Sequence, residues 1–240
     1  MIAAPRGLLF DYGDTLVEEV GVDIPAGNAW LFAQASHRPA GVTLDDVLAR
    51  ARMIATDVAS LRERVHLEIA WPTLTRLIHD YFGVGFDRPM PELELGFWKA
   101  SVHTRVMSGA QAALDRLHRA GLPMAVVSNT SFGEPVIRYE LDRHGLSDHL
   151  AFVTVSSDYS IRKPNPLLFE LAAARLGVPA SEIWFVGDRL DTDMAGAKAA
   201  GMTAVWFNRD AGLDPSADVD VTVPDWDMVA RHVLEAGVAR

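Results

Sequence analysis

The stretch IWFVGDRLDTDMAGAKAAG, residues 183–201, holds side by side the two textures from which the fold is read. Its first four residues are β-branched or aromatic, too few for a lone helix, and they run into Gly187 and Asp188. Such a run reads as a strand buried on both faces, as in a parallel sheet. Helical spacing then follows from Thr192 to Ala200 and stops at Gly201. The alternation recurs outward in both directions. MAVVSN (124–129), AFVTVS (151–156) and TAVWFN (203–208) repeat the strand texture. Between them, residues 134–144 end at Gly145, and residues 166–176 start after an N-cap at Asn165 and stop at Gly177. Upstream, residues 110–120 close at Gly121. Strands alternating with helices predict a doubly wound, Rossmann-like α/β fold on a parallel sheet.

GLLFDY (7–12) has the same texture but stands alone at the N-terminus. Residues 28–100 show no convincing strand and instead place apolar residues at helical spacing, as in Leu44, Val47, Leu48 and Ala51, or Leu74, Leu77, Ile78 and Tyr81. Pro72 starts one of these helices, and Pro89–Pro91 opens another. The expected architecture is an α/β core of residues 1–16 and 101–240, interrupted at 17–100 by an all-helical domain of about four helices. The tail is expected to add an edge strand at 218–223 and a terminal helix at 227–236.

Composition narrows the function. A chain of 240 residues accommodates one or two domains, and 49% hydrophobic residues give it the means to build a core. A net charge of −10 argues against nucleic-acid or anionic-membrane partners. The absence of cysteine excludes disulfides, thiolate metal sites and a cysteine nucleophile. No apolar run nears the ~20 residues that span a bilayer, and the N-terminal one is broken by Asp11 too soon for a signal peptide. The expectation is a soluble cytoplasmic protein with a small-molecule substrate; its oligomeric state stays open.

In an open parallel sheet, ligands collect at the carboxyl ends of the strands. The polar residues there are Asp11, Ser128, Asn129 and Asp188, with Asp193 five positions further and Lys163 in RKPNP before a helix. Converging carboxylates repel one another unless a cation compensates, and oxygen ligands without His or Cys point to a hard ion, Mg²⁺. Three lysines, Lys99, Lys163 and Lys198, stand among nineteen arginines. A lysine kept in such a chain suggests a need for a compact ammonium at Lys163.

Four segments in order, FDYGDTL (10–16), VVSNT (126–130), RKPNPLLF (162–169) and FVGDRLDTDMAGAKAAGM (185–202), resemble the four motifs of the haloacid dehalogenase-like (HAD) superfamily hydrolases, in the subfamily with a helical C1-type cap after the first motif. The resemblance implies an Mg²⁺-dependent phosphatase acting on a small phosphorylated metabolite, with Asp11 as the nucleophile that forms an aspartyl-phosphate. Asp11, Asp188 and the backbone carbonyl of Gly13 would hold the ion, and Asp193 would reach it through a water. Ser128, Asn129 and Lys163 would bind the phosphoryl oxygens, and Lys163 would neutralise the developing charge.

At one position the chain departs from that pattern. Family phosphatases carry a second Asp two residues after the nucleophile, as general acid and base; here that residue is Gly13, in Asp11-Tyr12-Gly13-Asp14. Such a group is worth roughly 10²–10⁴-fold. Several explanations stay open. Asp14, Glu18, Glu19, His66 or His103 could supply the proton, or the substrate could carry a good leaving group, such as an acyl phosphate. The chemistry could instead be dehalogenase-like, although Asp188 and Asp193 would then be superfluous. Phosphonatase chemistry needs a cap lysine, and residues 16–98 contain none. A regulatory protein that binds phosphate and Mg²⁺ is the remaining alternative. Trp30, Trp71 and Trp98 read as packing within the insertion or as contacts to an apolar substrate. Arg62, Arg64 and Arg76 read as a solvated face or a second anion site, and Arg189 as a residue beside the ligands that could touch substrate. His118 and His144 suit helix C-termini.

Overall fold

A computed structural model describes residues 2–209 and 218–238. In chain order the elements are β1 (Gly7–Phe10), β2 (Val17–Val22), α1 (Ile24–Ala33), α2 (Leu44–Val65), α3 (Trp71–Tyr81), α4 (Met90–Ser101), β3 (Val102–Val106) and α5 (Ala110–Arg119). There follow β4 (Met124–Ser128), α6 (Glu134–Arg143), β5 (Val153–Val155), α7 (Ser156–Tyr159), α8 (Pro166–Leu176), β6 (Ile183–Gly187), α9 (Ala195–Ala199), β7 (Thr203–Phe207), β8 (Val221–Val223) and α10 (Trp226–Val238).

The main sheet runs β5-β4-β1-β6-β7-β8, with every neighbouring pair parallel. β1 lies between β4 and β6, its Leu9 level with Ala125 on one side and Phe185 on the other. Its side chains alternate between two cores. Leu8 and Phe10 pack with residues of α5, α6 and α10, and Leu9 packs with residues of α8 and α9. All three are fully buried, each contributing about 1.5–3 kcal/mol of transfer free energy. That explains the unbroken apolar runs in the sequence. Because successive strands diverge to either side of β1, the crevice lies beyond the carboxyl ends of β1, β4 and β6.

The four helices α1–α4 interrupt the chain between β2 and β3, around apolar clusters of their own that include Val47, Ile54 and Ile78, and Leu31, Trp71 and Phe97. They meet the sheet domain along a seam. Glu68 N donates to Ser160 O at 3.2 Å, Arg162 N to His66 O at 3.0 Å, and Trp71 N to Ser131 O at 2.7 Å.

Two local features differ from the sequence expectation. Val17–Val22, read as the start of the helical insertion, is a strand that pairs antiparallel with Val102–Val106, with a bulge between Glu19 and Gly21. Only Val17 of VEEVGV is buried, so no apolar alternation marks the strand. The helix expected over 192–200 is regular only at Ala195–Ala199. Before it, Asp193 N and Met194 N both donate to Arg189 O, at 3.0 and 3.2 Å, and widen the turn. The edge strand β8 and the terminal helix α10 fall where the tail predicted them. Among the described residues, no helix is long and apolar enough to cross a membrane.

Candidate active site

Three strand ends and one loop bring the expected residues together. Asp11 follows β1 and is fixed by its own N–H, which donates to Val186 O of β6 at 2.9 Å. Lys163 is almost wholly buried, and its Nζ lies 2.5 Å from Asp11 Oδ1 and 2.7 Å from Asp193 Oδ1. A third contact, donated to Val127 O at 3.0 Å, completes the ammonium's set. The Asn129 amide grips the peptide of Lys163 at both ends: its Nδ2 donates to Lys163 O at 3.0 Å, and Lys163 N donates to its Oδ1 at 2.8 Å. Asn129, expected on the phosphoryl oxygens, therefore spends its side chain on placing the lysine.

Asp188 is held by less obvious partners. Thr15 Oγ1 donates to its Oδ1 at 3.4 Å, and Trp206 Nε1 donates to its backbone oxygen at 2.8 Å. Thr15 is itself pinned by Trp226 Nε1, which donates to its carbonyl at 2.9 Å. Asp193 folds back so that its Oδ2 accepts from Arg189 N at 3.1 Å. That fold needs glycine beside it, since a Cβ on Gly187 would stand 2.4 Å from Asp193 Oδ2.

One carboxylate oxygen from each of Asp11, Asp188 and Asp193 lies within 4.8 Å of the others, a set that could hold a metal ion. Burial pushes the Asp11 carboxyl up to about 7; Lys163 opposes this and Asp193 reinforces it. Burial, and then Asp193, push Asp188 up to about 6. Burial works against the Lys163 ammonium, but Asp11 and Asp193 outweigh it and keep its pKa above the ordinary value. Three carboxylates facing one ammonium leave two negative charges, which a divalent cation would balance.

These groups form the floor of a cavity of about 520 Å³, which Ser128 also lines. Gly13 lies at its edge, where an added Cβ would meet nothing within 4 Å. Of the proton donors considered from sequence, Asp14 and Glu19 line the cavity. Asp14 adopts a left-handed backbone (φ 53°) and is exposed, 3.7 Å from Arg209. Glu19 is exposed, but partial desolvation of its carboxyl, and then the charge of Asp14, raise its pKa. Glu18 turns away to Arg105 and Arg209, and His66 and His103 are exposed outside the cavity lining. One wall is aromatic, formed by Tyr12 and Trp98, and the Tyr12 hydroxyl is buried without a hydrogen-bond partner among the described residues. The other wall carries Arg62, Arg162 and Arg189, whereas Arg64 and Arg76 are exposed outside it. Sequence reasoning did not single out Tyr12, Thr15, Trp206 or Arg162 for the site; adjacency to Asp11 and Lys163 was the one available signal for Tyr12 and Arg162.

A family model described as haloacid dehalogenase-like hydrolase matches residues 5–201. The chain belongs to that family. Phosphatases are among the relatives of this HAD hydrolase. It is 36% identical over 138 residues to a phosphoserine phosphatase of Thermus thermophilus, covering 56% of this chain and 53% of that protein. To a glyceraldehyde 3-phosphate phosphatase of Pyrococcus abyssi it is 31% identical over 160 residues, covering 60% and 66%. The chain thus spans between half and two-thirds of these relatives' lengths. A HAD phosphatase structure from Thermococcus onnurineus superposes with a TM-score of 0.68 at 26% identity, covering 96% of this chain and 98% of that one. A 2-haloacid dehalogenase from Pseudomonas syringae pv. Tomato DC3000 superposes with a TM-score of 0.67 at 23% identity, covering 98% and 99%, a likeness of fold alone.

Proposed function

We propose that this HAD hydrolase is an Mg²⁺-dependent phosphatase of a small phosphorylated metabolite, working through an aspartyl-phosphate on Asp11. The observation that carries the reading is the convergence of the Asp11, Asp188 and Asp193 carboxylates, with Asp11 and Asp193 both paired to the buried Lys163. Asp11, Asp188 and the Gly13 carbonyl would hold the ion, with Asp193 beside them. Bound Mg²⁺ would supply the positive charge that lets an anionic nucleophile approach an anionic phosphoryl group.

In the first step an Asp11 carboxylate oxygen forms a bond to phosphorus while the bond to the leaving oxygen breaks, and the substrate's alcohol departs. Water then cleaves the acyl-phosphate and regenerates Asp11. Lys163 neutralises charge on both nucleophile and phosphoryl oxygens, and Ser128 donates to the latter. Asn129 keeps the lysine's peptide in place. The helices between β2 and β3 serve as a cap that limits water access, and α2 contributes Ala59 and Arg62 to the cavity wall. With glycine at position 13, the leaving alcohol takes its proton from Glu19 or Asp14, or leaves unprotonated when its own acidity permits.

The test is Mg²⁺-dependent release of phosphate from 4-nitrophenyl phosphate, whose leaving group needs no acid. The expected result is turnover that EDTA and Asp11→Asn both abolish. Turnover that survives Asp11→Asn, or metal-independent halide release from 2-chloropropionate, overturns the reading. Tight phosphate binding with no turnover of any phosphate ester favours the binding-protein alternative.

A further inference from the structure

The cationic wall of the cavity is built around a carboxylate that takes no part in the chemistry above. Glu68, in the loop after α2, has a fully buried side chain. Its Oε1 lies 2.7 Å from Arg62 Nη2, and its Oε2 is paired with Arg162 Nη1. Ser156 Oγ donates to Oε2 at 3.0 Å, and Ile69 N donates to Oε1 at 3.1 Å. Both carboxylate oxygens are therefore fully engaged. The two guanidinium groups share this one negative charge, and on Arg62 both Nε and, despite its ion pair, Nη2 are buried without a hydrogen bond among the described residues.

Both arginines line the same cavity as Asp11 and Lys163. Arg162 immediately precedes Lys163, and Arg62 arrives from the inserted helices, so the pair exists only when the two parts of the chain are docked. Burial lowers the Arg162 pKa; Glu68 opposes this, and the charges of Arg62 and Arg189 add to the lowering. Arg189 is already spoken for, held by Asp191 through bonds of 3.2 and 2.8 Å. One surplus positive charge remains on a wall beside the phosphoryl floor.

We propose that Arg62 and Arg162 form a subsite for a carboxylate at the far end of the phosphorylated substrate. This rests on the phosphatase reading and narrows it to phosphomonoesters that carry a carboxylate. A guanidinium presents a planar fork of donors that matches a carboxylate. The single surplus charge matches a monoanion and falls short of a second phosphate, which is close to dianionic. With side chains only 26% and 22% exposed, the two groups are shielded enough for such a contact to count.

The experiment compares 2-phosphoglycolate and 3-carboxyphenyl phosphate, each with its carboxamide, on the 240-residue protein with Mg²⁺. The expected kcat/KM ratio, carboxylate over carboxamide, is about 10–100-fold in the wild type, the range for one charge-assisted contact. Arg162→Gln and Arg62→Gln bring that ratio towards one. A purely structural clamp would lower both rates together and leave the ratio intact. Should either glutamine variant fail to fold, Arg162→Lys, which keeps the pairing with Glu68 but loses the fork, reports the same ratio. Binding of the four compounds to the Asp11→Asn protein, read by calorimetry, separates this inference from the phosphatase reading. A carboxylate preference in binding without any wild-type turnover sustains the subsite and sinks the reaction. A ratio near one in wild type, a ratio that survives in the variants, or stronger selection for a second phosphate overturns the subsite.

Discussion

Replacing Gly13 with aspartate tests whether the lack of a carboxyl at this position limits the proposed reaction. A Cβ at position 13 meets nothing within 4 Å, and Gly13 is absent from the positive-φ glycines, so the change costs neither a contact nor backbone strain. Removing a glycine restrains the unfolded chain by about 0.4–1 kcal/mol, while a further carboxylate near Asp11 and Asp188 works in the opposite direction. Thermal stability should therefore change little. A positioned general acid contributes roughly 10²–10⁴-fold. Glu19 and Asp14 line the cavity, and on the proposed mechanism they supply part of that factor. The expected gain in kcat/KM is thus about 10–100-fold on an alkyl phosphate such as ethyl phosphate, against less than about threefold on 4-nitrophenyl phosphate, whose leaving group departs unprotonated. Steady-state kinetics of both proteins on both esters, with Mg²⁺, give the ratio. A variant that folds, keeps its Mg²⁺ response and shows an unchanged alkyl-to-aryl ratio refutes the reasoning.

Two further outcomes follow from the same geometry. The Asp11 carboxyl, at about 7 in the folded protein against 3.8 ordinarily, keeps a proton that the unfolded chain releases, so stability in EDTA falls as pH rises from about 4 to 7. Added Mg²⁺ offsets the ionised carboxylates, so it should raise Tm more at pH 8 than at pH 5 by scanning fluorimetry; equal rises would show that the trio is not the binding site. Gly187→Ala would drive a methyl group into Asp193, 2.4 Å from its Oδ2, displacing that carboxylate and costing about 1–3 kcal/mol. Calorimetric Mg²⁺ affinity should fall by more than tenfold, and an unchanged affinity would place Asp193 outside the ion's surroundings.

The parts of this molecule that are legible from sequence are those in which burial dictates residue type. GLLF, MAVVS and IWFVG are buried at every position, so their apolar runs declare themselves, and the polar residues that end them mark the crevice. The ribbon of β2 and β3 escapes because only Val17 and Val102 are buried in it and its register is broken by a bulge. The widened turn at Leu190–Met194 escapes because a π-type bond from Met194 to Arg189 leaves no imprint on apolar spacing. Asp11, Lys163, Asp188 and Asp193 were readable by order and strand-end position. The triangle of Arg62, Glu68 and Arg162 was not: it depends on how two separate parts of the chain dock, and no local pattern encodes that.

The central place of β1 has a consequence for how the chain reaches its native state. Its two hydrogen-bonded neighbours are Met124–Ser128 and Ile183–Gly187, more than a hundred residues downstream. During synthesis, therefore, Gly7–Phe10 waits with both edges open while the whole helical insertion emerges and packs around its own clusters. Closing such distant pairings is slow, because loop entropy is spent before any contact repays it. The strand that leads into Asp11 precedes both of its partners in the chain and is enclosed only once the second of them has formed. Until Ile183–Gly187 arrives, one of its edges stays unpaired, a state prone to aggregation.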